Sequence, residues 1–231
     1  MKKDPFVRWI SLAWVAAVAV AGPLMGQSLN IDFGEVGNAP ADTYAAAGLP
    51  GVWNSFRADH ATTTQGLVDL DGLVTSVSLR QFGGLDTPTV VDPATSGDDS
   101  LLLDDYLVTF DADLESCIFF TGLAPGEYVI LIYARMPKEP AVLSYTSVDQ
   151  EDGFPHYSIG GVWSGGHEEL ITFSRHRAQV GIDGRLDLHS GVVPDADPSL
   201  GAALNGLQVM TAEIFEDGFE SGDLSRWGGT G

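Results

Sequence analysis

Apolar and polar residues alternate along most of the chain, and short stretches rich in Gly, Pro and Asp separate the alternating segments. Successive side chains of a β-strand point to opposite faces, so an alternation with a period of two predicts strands. No window of a dozen residues places its apolar side chains at the spacing of an amphipathic helix. The pattern predicts strands at 28–33, 66–70, 73–82, 115–121, 127–135, 141–148, 169–174, 178–182, 185–189 and 206–212.

The predicted strand at 127–135, in the stretch TGLAPGEYVILIYAR, is apolar on both faces. Tyr128, Ile130 and Ile132 share one face, and the residues between them, also apolar, share the other. Burial on both faces is typical of a central strand. We expect one face to meet an opposite sheet, and the other to be covered by a long loop or to form an exposed contact patch.

Two Asp-Gly pairs predict tight connections between strands. In LVDLDGLVTSVSL, a two-residue turn sets Leu70 opposite Leu73 and gives one apolar face, made of Val68, Leu70, Leu73, Val77 and Leu79. In AQVGIDGRLDLHSG, a bulge or a three-residue loop brings Ile182 opposite Leu186. Both segments are therefore predicted to be hairpins.

These strands predict an all-β fold, an antiparallel two-sheet β-sandwich of the jelly-roll type that occupies residues 27–212. A chain of 231 residues, 44% of them apolar, can bury a core without disulfides. The one cysteine, Cys117, falls in the strand at 115–121, where we expect a buried small apolar side chain rather than a nucleophile. The longest predicted loops, 34–64 and 83–114, are where sites on such scaffolds usually lie.

Residues 1–26 resemble a signal peptide, with three basic residues, the apolar stretch WISLAWVAAVAVAG and the small residues of GPLMGQS. Cleavage is predicted after Gly26 or, alternatively, after Ala21. The sequence therefore predicts a secreted, extracellular protein that leaves the membrane after cleavage. A single-span anchor is the alternative, although the apolar stretch is shorter than the ~20 residues that cross a bilayer.

The formal net charge is −21, and without residues 1–26 the chain has 8 Lys and Arg against 31 Asp and Glu, a charge of −23. Nucleic-acid binding needs clustered basic residues, and the short SRHR segment at 174–177 is a poor substitute, so nucleic acid is excluded as a partner. The acidity favours solubility outside the cell, in salty or calcium-containing surroundings; an acidic interaction surface is the alternative.

The segments LNIDFG, TYAAAGLPGVWNSF, GLAPGEYVILIYAR and LNGLQV resemble secreted bacterial galactose-binding-like jelly-roll domains of the carbohydrate-binding-module type, and the resemblance covers about residues 28–212. It implies a sandwich that binds sugars or holds a structural calcium ion. Residues 213–231 form an acidic, Gly- and Ser-rich tail that resembles the DGFESGD endings of other secreted bacterial proteins. We expect this tail to be a solvated end of the chain, and a docking or export element is the alternative.

Aromatic residues in glycine-rich surroundings are the candidate ligand-binding residues. GVWNSF contributes Trp53 and Asn54, and HYSIGGVWSGGHEE contributes Tyr157, Trp163 and His167. Sugars pack their C–H edges on aromatic faces, while amide, carboxylate or imidazole groups bond the hydroxyls. Alternatively, Trp53 and Trp163 fill the ends of the sandwich core.

Five aspartates crowd one predicted loop and are the candidate calcium ligands: Asp92, Asp98, Asp99, Asp104 and Asp105. Calcium takes six to eight oxygen ligands, which a flexible acidic loop can supply. The ion, if bound, would stabilise the fold, and no cofactor is required for function. A solvated acidic loop is the alternative.

No catalytic motif is complete. GDDSLLLDD carries an extra Asp relative to a Gly-Asp-Ser-Leu hydrolase block, and GHEEL lacks the second His of a zinc-protease helix. The sequence therefore favours a non-catalytic binding module for a neutral glycan or cell-surface polymer. A structural or adhesive extracellular component is the first alternative, and a glycan-active hydrolase or lyase is the second.

Overall fold

A computed structural model describes residues 27–34, 37–57, 59–86, 89–110, 115–194, 197, 199 and 201–212. In these residues the chain forms strands and one short helix, so the all-β prediction is confirmed. The strands are β1 Leu29–Phe33, β2 Trp53–Phe56, β3 Asp59–Gln65, β4 Ser78–Asp86, β5 Leu107–Thr109, β6 Glu115–Thr121, β7 Gly126–Tyr133, β8 Ser144–Val148, β9 Tyr157–Ile159, β10 Phe173–Val180, β11 Leu186–Val192, β12 Ala202–Leu204 and β13 Gly206–Thr211, and the helix is α1 Asp98–Leu103.

Two sheets face each other, as predicted. The five-stranded sheet has the order β10-β7-β13-β1-β2, and the eight-stranded sheet has the order β12-β5-β4-β6-β11-β8-β9, with β3 beside β4. All neighbouring pairs are antiparallel except β1 and β2. The eight-stranded sheet curls, which brings β12 back to β8: the backbone N–H of Ala203 in β12 donates to Ser144 Oγ of β8 at 2.8 Å.

The core between the sheets is built from the inward faces of alternating strands. β7 lies between β10 and β13, and its Tyr128, Ile130 and Ile132 are at most 1% exposed, which confirms the central strand. They pack with the inward side chains of β1, β6, β11 and β13 in one cluster. Each such side chain contributes about 1.5–3 kcal/mol on burial, so this cluster is a main source of stability.

The outer face of β7 is also buried, under a cover rather than as an exposed patch. Val129, Leu131 and Tyr133 pack with Leu102 and Leu103 of α1. Side chains of the loop between β1 and β2 and of the loop between β9 and β10 complete the cover. The two predicted long loops therefore supply most of the covering layer, and the loop between β9 and β10 adds Trp163.

The first Asp-Gly connection differs from the predicted hairpin. Asp69 Oδ1 accepts hydrogen bonds from the backbone N–H groups of Asp71, at 3.0 Å, and Leu73, at 2.9 Å. The turn is therefore longer than two residues, and Val68 pairs with Val74 in an isolated bridge. The predicted apolar face is wrong at Leu73, which is 65% exposed, whereas Val77 and Leu79 of the same face are buried.

The second Asp-Gly connection is not a hairpin. β10 pairs with β7 in the five-stranded sheet, whereas β11 pairs with β6 and β8 in the eight-stranded sheet. The turn thus carries the chain across the sandwich, and Ile182 projects from it 98% exposed instead of facing Leu186. Gly184, with a φ of 65°, supports the crossing because a Cβ there would lie 2.6 Å from the carbonyl oxygen of Leu123.

Several elements fall where the sequence predicted loops or breaks. β2 and all but the last residue of β3 lie within 34–64, and β5 and α1 lie within 83–114. The two predicted strands at 169–174 and 178–182 are one strand, β10. The predicted signal peptide and the predicted tail lie outside the described residues. No helix within the described ranges is long and apolar enough to cross a membrane.

Candidate functional site

Aromatic rings from four segments meet on the outer face of the five-stranded sheet. Tyr133 ends β7, Trp53 begins β2, and Tyr44 lies in the loop between β1 and β2. Trp163 and His167 lie in the loop between β9 and β10. We call these five residues the aromatic cluster. It forms because the outer face of β7 is apolar and must be covered.

The loop that carries Trp163 leaves β9 through glycines. At Gly160, a Cβ would lie 2.6 Å from the carbonyl oxygen of Val142. At Gly161, a Cβ would press on Ile171 at 3.0 Å. Glycine is therefore needed at Gly160 for the loop to pass close to the backbone and reach the outer face of the sheet.

His167 is the centre of the aromatic cluster. The ring of Trp163 meets it edge-to-face, with centroids 5.4 Å apart and planes at 75°. The ring of Tyr133 meets it in the same manner at 5.2 Å and 72°. Such pairs contribute about 0.5–1.5 kcal/mol beyond their buried area. The imidazole therefore fixes the position of the Trp163 indole.

A hydrogen-bonded chain fixes His167 in turn. The Tyr44 hydroxyl lies 2.6 Å from Asp99 Oδ1 and 2.6 Å from His167 Nε2. An ionised carboxylate only accepts, so Tyr44 donates to Asp99, and Nε2–H of His167 donates to the Tyr44 oxygen. Nδ1 then faces the Thr172 hydroxyl at 3.2 Å, whose one proton it shares with the Glu168 carbonyl oxygen at the same distance. Tyr44 thus donates one hydrogen bond and accepts another, and both nitrogens of His167 have a partner.

The same network sets the charge state of the site. Burial lowers the pKa of His167, although the charge of Asp99 opposes this, so the imidazole is neutral at pH 7. Burial and the hydrogen bond to Asp99 raise the pKa of Tyr44, so its hydroxyl keeps its proton. The His167 side chain is only 6% exposed, whereas that of Asp99 is 33% exposed. Negative charge is therefore presented at the rim, and neutral aromatic surface lies behind it.

The predicted ligand-binding residues separate into three places. Trp163 and His167 come together, and Trp163 is half-buried. Trp53 lies beneath them, only 6% exposed, and its Nε1–H donates to the Tyr44 carbonyl oxygen at 3.1 Å. Trp53 is therefore buried under the covering layer on the outer face of the sheet, not at an end of the core between the sheets.

Asn54 and Tyr157 lie apart from the aromatic cluster. Asn54 Nδ2 donates to the carbonyl oxygens of Asn30, at 3.0 Å, and Val68, at 2.8 Å, while its Oδ1 accepts from Val68 N at 2.9 Å. The Asn54 amide thus holds two backbone segments together. Tyr157, on β9, packs edge-to-face on His176 at 4.9 Å. Neither arrangement places the side chain beside Trp163.

The candidate calcium ligands have several different partners. Asp92 accepts from Arg135 Nη2 at 2.8 Å, and Asp104 accepts from Thr95 Oγ1 at 2.8 Å and from Asp92 N at 3.1 Å. Burial opposes the ionisation of Asp92, but bonds from Ala94 and Arg135 outweigh it and lower the pKa.

The other three aspartates point to other partners. Asp98 accepts from the backbone N–H of Ala41 at 2.9 Å, Asp99 accepts from Tyr44, and Asp105 is buried near Gly34. No three of the five carboxylates converge within 4.8 Å in the described part of the chain. Calcium binding at 92–105 stays a prediction, without a preformed cage to support it.

A buried polar chain between β8 and β10 has the order of a catalytic triad. His176 Nδ1 lies 2.5 Å from Glu151 Oε2, and His176 Nε2 lies 3.0 Å from Ser174 Oγ. Ser174 Oγ also lies 2.7 Å from Thr146 Oγ1, across the sandwich. Carboxylate, imidazole and hydroxyl are the groups of a serine hydrolase.

The accessibility of this polar chain is the reverse of what a hydrolase needs. Ser174 and His176 are 0% exposed and face the core between the sheets. Glu151, instead, borders a surface cavity of about 300 Å³, lined by Glu127, Gln150, Glu151, Asp152, Arg177, Ala178 and Gln179. A substrate in that cavity would meet the Glu151 carboxylate and not the Ser174 hydroxyl. The contact between Ser174 and Thr146 instead links the two sheets.

Cys117 faces outward from β6 and is half-buried, so the prediction of a core position is wrong for this residue. Its Sγ lies 3.4 Å from His189 Nδ1 and 3.7 Å from Glu115 Oε1. Burial, and then the charge of Glu115, raise the pKa of the thiol to about 12. The thiol is therefore protonated at pH 7 and a poor nucleophile.

No protein-family model and no curated protein matches this chain. Among solved structures, it is similar to a chain from the complex of the plant peptide RALF23 with FER and LLG2, at 13% identity and a TM-score of 0.42, over 80% of this chain and 40% of that one. An isomalto-dextranase of Arthrobacter globiformis T6 complexed with panose is similar at 13% identity and a TM-score of 0.31, over 80% and 32%.

The enzymatically active domain of tailspike protein 4 of bacteriophage CBA120 is similar at 14% identity and a TM-score of 0.23, over 58% of this chain and 18% of that one. The chain spans less than half the length of each of the three. At TM-scores this low the comparisons carry no argument about function. The class that the fold and the cluster define is an all-β two-sheet sandwich with an aromatic cluster on one outer face.

Proposed function

We propose that the protein is a non-catalytic binding module for a neutral glycan or a related extracellular polymer, and that Trp163 is its main contact. The observation that carries the proposal is a half-buried indole that meets His167 edge-to-face, with the partly exposed carboxylate of Asp99 on the other side of His167, 3.5 Å from its Nε2. Resemblance to galactose-binding-like domains, on the segments quoted above, supports the same ligand class.

The chemistry of the rim suits a sugar. A pyranose presents apolar C–H edges that pack on an indole face and hydroxyl groups that donate to carboxylates. Because Tyr44 and Asp99 hold His167, and His167 holds Trp163, little side-chain entropy is lost when a ligand binds. A protein with a net charge of −21 repels anionic polymers, which favours a neutral one.

Two features support binding rather than catalysis. The serine, histidine and glutamate that have triad order are sealed in the core, with Ser174 at 0% exposure. The aromatic cluster itself holds a neutral imidazole whose two nitrogens are engaged by Tyr44 and Thr172. Neither set offers a substrate an accessible nucleophile beside a base.

Replacing Trp163 by Ala tests the proposal. We expect retention on neutral polysaccharides, measured by affinity electrophoresis, to fall by about 1 kcal/mol or more, that is about fivefold or more, because stacking area is lost. Folding stability should change little more than in Phe154→Ala, which removes a 60% exposed ring elsewhere and should retain binding.

Two results would overturn the proposal. One is unchanged retention in Trp163→Ala on every glycan that the parent protein binds. The other is a loss of several kcal/mol of folding stability with full retention per folded molecule, which would make Trp163 a core residue.

A further inference from the structure

The outer face of the eight-stranded sheet carries a second cluster, made of Glu115, Cys117 and His189. Cys117 of β6 and His189 of β11 are directly opposite in the antiparallel ladder, so their side chains leave the same face side by side. Glu115 lies two residues before Cys117 and therefore on that same face. Strand register alone brings a thiol, an imidazole and a carboxylate together.

The distances between the three donor atoms match the edges of a tetrahedron around zinc. Zinc bonds sulfur at about 2.3 Å and nitrogen or oxygen at about 2.0–2.1 Å, so tetrahedral neighbours lie roughly 3.3–3.6 Å apart. Here Sγ to Nδ1 is 3.4 Å, Nδ1 to Glu115 Oε1 is 3.1 Å, and Sγ to that oxygen is 3.7 Å. All three atoms can reach one ion with shifts of a few tenths of an ångström.

The neighbours of the cluster orient two of its members. Without metal, Nδ1–H of His189 donates to Glu115 Oε1 at 3.1 Å. Asp149 Oδ1 lies 3.0 Å from His189 Nε2, a close contact outside hydrogen-bond geometry, and it offers an acceptor for the ring proton when a metal ion takes the lone pair of Nδ1. The Tyr145 hydroxyl donates to Glu115 Oε2, so Oε1 stays directed at the cluster. A carboxylate behind a ligating histidine and a donor behind a ligating carboxylate are the usual supports of a metal site.

We propose that Glu115, Cys117 and His189 form a zinc site with three protein ligands and water in the fourth position. The mixed sulfur, nitrogen and oxygen donor set suits zinc, whereas calcium requires an all-oxygen shell. The His189 side chain is 16% exposed and that of Glu115 38% exposed, so an ion can enter from solvent. The thiol proton leaves to the buffer when zinc binds, and the bound ion links β6 to β11.

Cobalt substitution tests the site, because a thiolate bound to Co²⁺ gives a sulfur-to-metal charge-transfer band. Reduced, metal-stripped full chain is titrated with Co²⁺ and then with Zn²⁺. We expect one Co²⁺ per chain with that band and with the strong visible bands of four-coordinate cobalt, and displacement by Zn²⁺. Zinc should also raise the melting temperature of the parent protein.

Three variants assign the signal. Cys117→Ser should lose the charge-transfer band and the zinc-dependent rise in melting temperature. Tyr145→Phe should keep the band but weaken zinc about 10–100-fold, because the donor to Glu115 is lost. His156→Gln is the matched control, since this ring stacks on Tyr145 at 5.6 Å without belonging to the cluster, and it should bind zinc like the parent.

Weak octahedral cobalt spectra without charge transfer, or zinc affinity unchanged in Cys117→Ser, would overturn the proposal and assign metal binding to the acidic surface. The zinc test and the glycan test can fail independently. Trp163 covers the outer face of the five-stranded sheet, and the proposed zinc site lies on the outer face of the eight-stranded sheet.

Discussion

Asp32 carries an ionisable carboxyl group in a fully buried position, which disfavours its charged form. It lies on the outward face of β1 at 0% exposure, and neither carboxylate oxygen has a hydrogen-bond donor among the described residues. Burial, and then the negative charge of Asp105, raise the pKa of Asp32 well above its usual value. An acid whose pKa is higher in the folded than in the unfolded chain lowers stability as the pH rises above the unfolded value.

We therefore expect Asp32→Asn to raise the free energy of unfolding at pH 7 by about 1–3 kcal/mol, because a neutral amide replaces a buried carboxyl without donors. The gain should shrink as the pH falls towards the unfolded value of 3.8, where the acid is protonated in both states. Urea denaturation at a series of pH values measures both effects.

The matched control for this variant is Asp71→Asn, at an exposed turn position, which should change stability by less than about 0.5 kcal/mol. A loss of stability in Asp32→Asn at neutral pH would contradict the expectation and would show that the carboxyl group makes a contact which an amide cannot replace.

Single residues of the aromatic cluster were predictable to different degrees. Trp163 and His167 were found because glycines surround an aromatic and a polar group within a few positions. Tyr44 could not be found, because it meets His167 over a separation of 123 residues and Asp99 over 55. Asp99 was singled out, but as a calcium ligand, since a carboxylate in sequence does not reveal which donor it will meet.

The helix α1 shows how an element can depend on its neighbours. It spans only Asp98–Leu103, and no side chain caps its N-terminus. An isolated helix of this length is unstable in water, so packing must maintain it. Leu102 and Leu103 supply that packing, both at 0% exposure against the outer face of β7.

Leu102→Ala should therefore lower the free energy of unfolding by about 2–5 kcal/mol, because it opens a cavity under the covering layer. Leu73→Ala removes the same atoms from a side chain that is 65% exposed, and should stay within about 0.5 kcal/mol of the parent. Equilibrium urea unfolding of the two variants side by side makes the comparison. Equal stability in both would mean that α1 and its loop are not part of the cooperative fold.

Strand positions followed from the alternation because the β period is local, and β1, β6, β7 and β13 lie within a residue or two of their predicted bounds. Which strands pair with each other, in contrast, depends on contacts between segments that are distant in the sequence. At the first Asp-Gly pair, Asp69 captures two backbone amides and lengthens the turn. At the second, the same dipeptide carries the chain to the other sheet. The Asp-Gly dipeptide thus occurs in two different kinds of connection, and its sequence alone does not tell them apart.

The two outer faces of the molecule have different character. The five-stranded sheet is covered by loops, α1 and the aromatic cluster. The eight-stranded sheet presents half-buried polar side chains, among them Glu115 and His189, next to the 56% exposed ring of Phe82. Among the residues that the structure describes the carboxylates are spread out, and no three of them lie within 4.8 Å of one another.

This spread predicts the response of the whole protein to calcium. We expect the melting temperature of zinc-free protein to be the same in millimolar calcium and in EGTA, because Asp92, Asp104, Asp98 and Asp99 already accept hydrogen bonds from protein donors. Differential scanning calorimetry at constant ionic strength is the measurement. A calcium-dependent rise that disappears in Asp98→Asn would instead establish a stabilising site in the acidic loop.

The bridge that Asn54 makes has a consequence for how copies of the protein meet. β2 ends its sheet, and an unpaired strand edge is a template on which a strand of another molecule can add. Here the Asn54 amide binds both backbone groups of Val68, and the Val52 N–H donates to the Leu70 carbonyl oxygen at 3.0 Å. The segment around Val68 therefore covers part of that edge, which hinders the addition of a strand from another molecule.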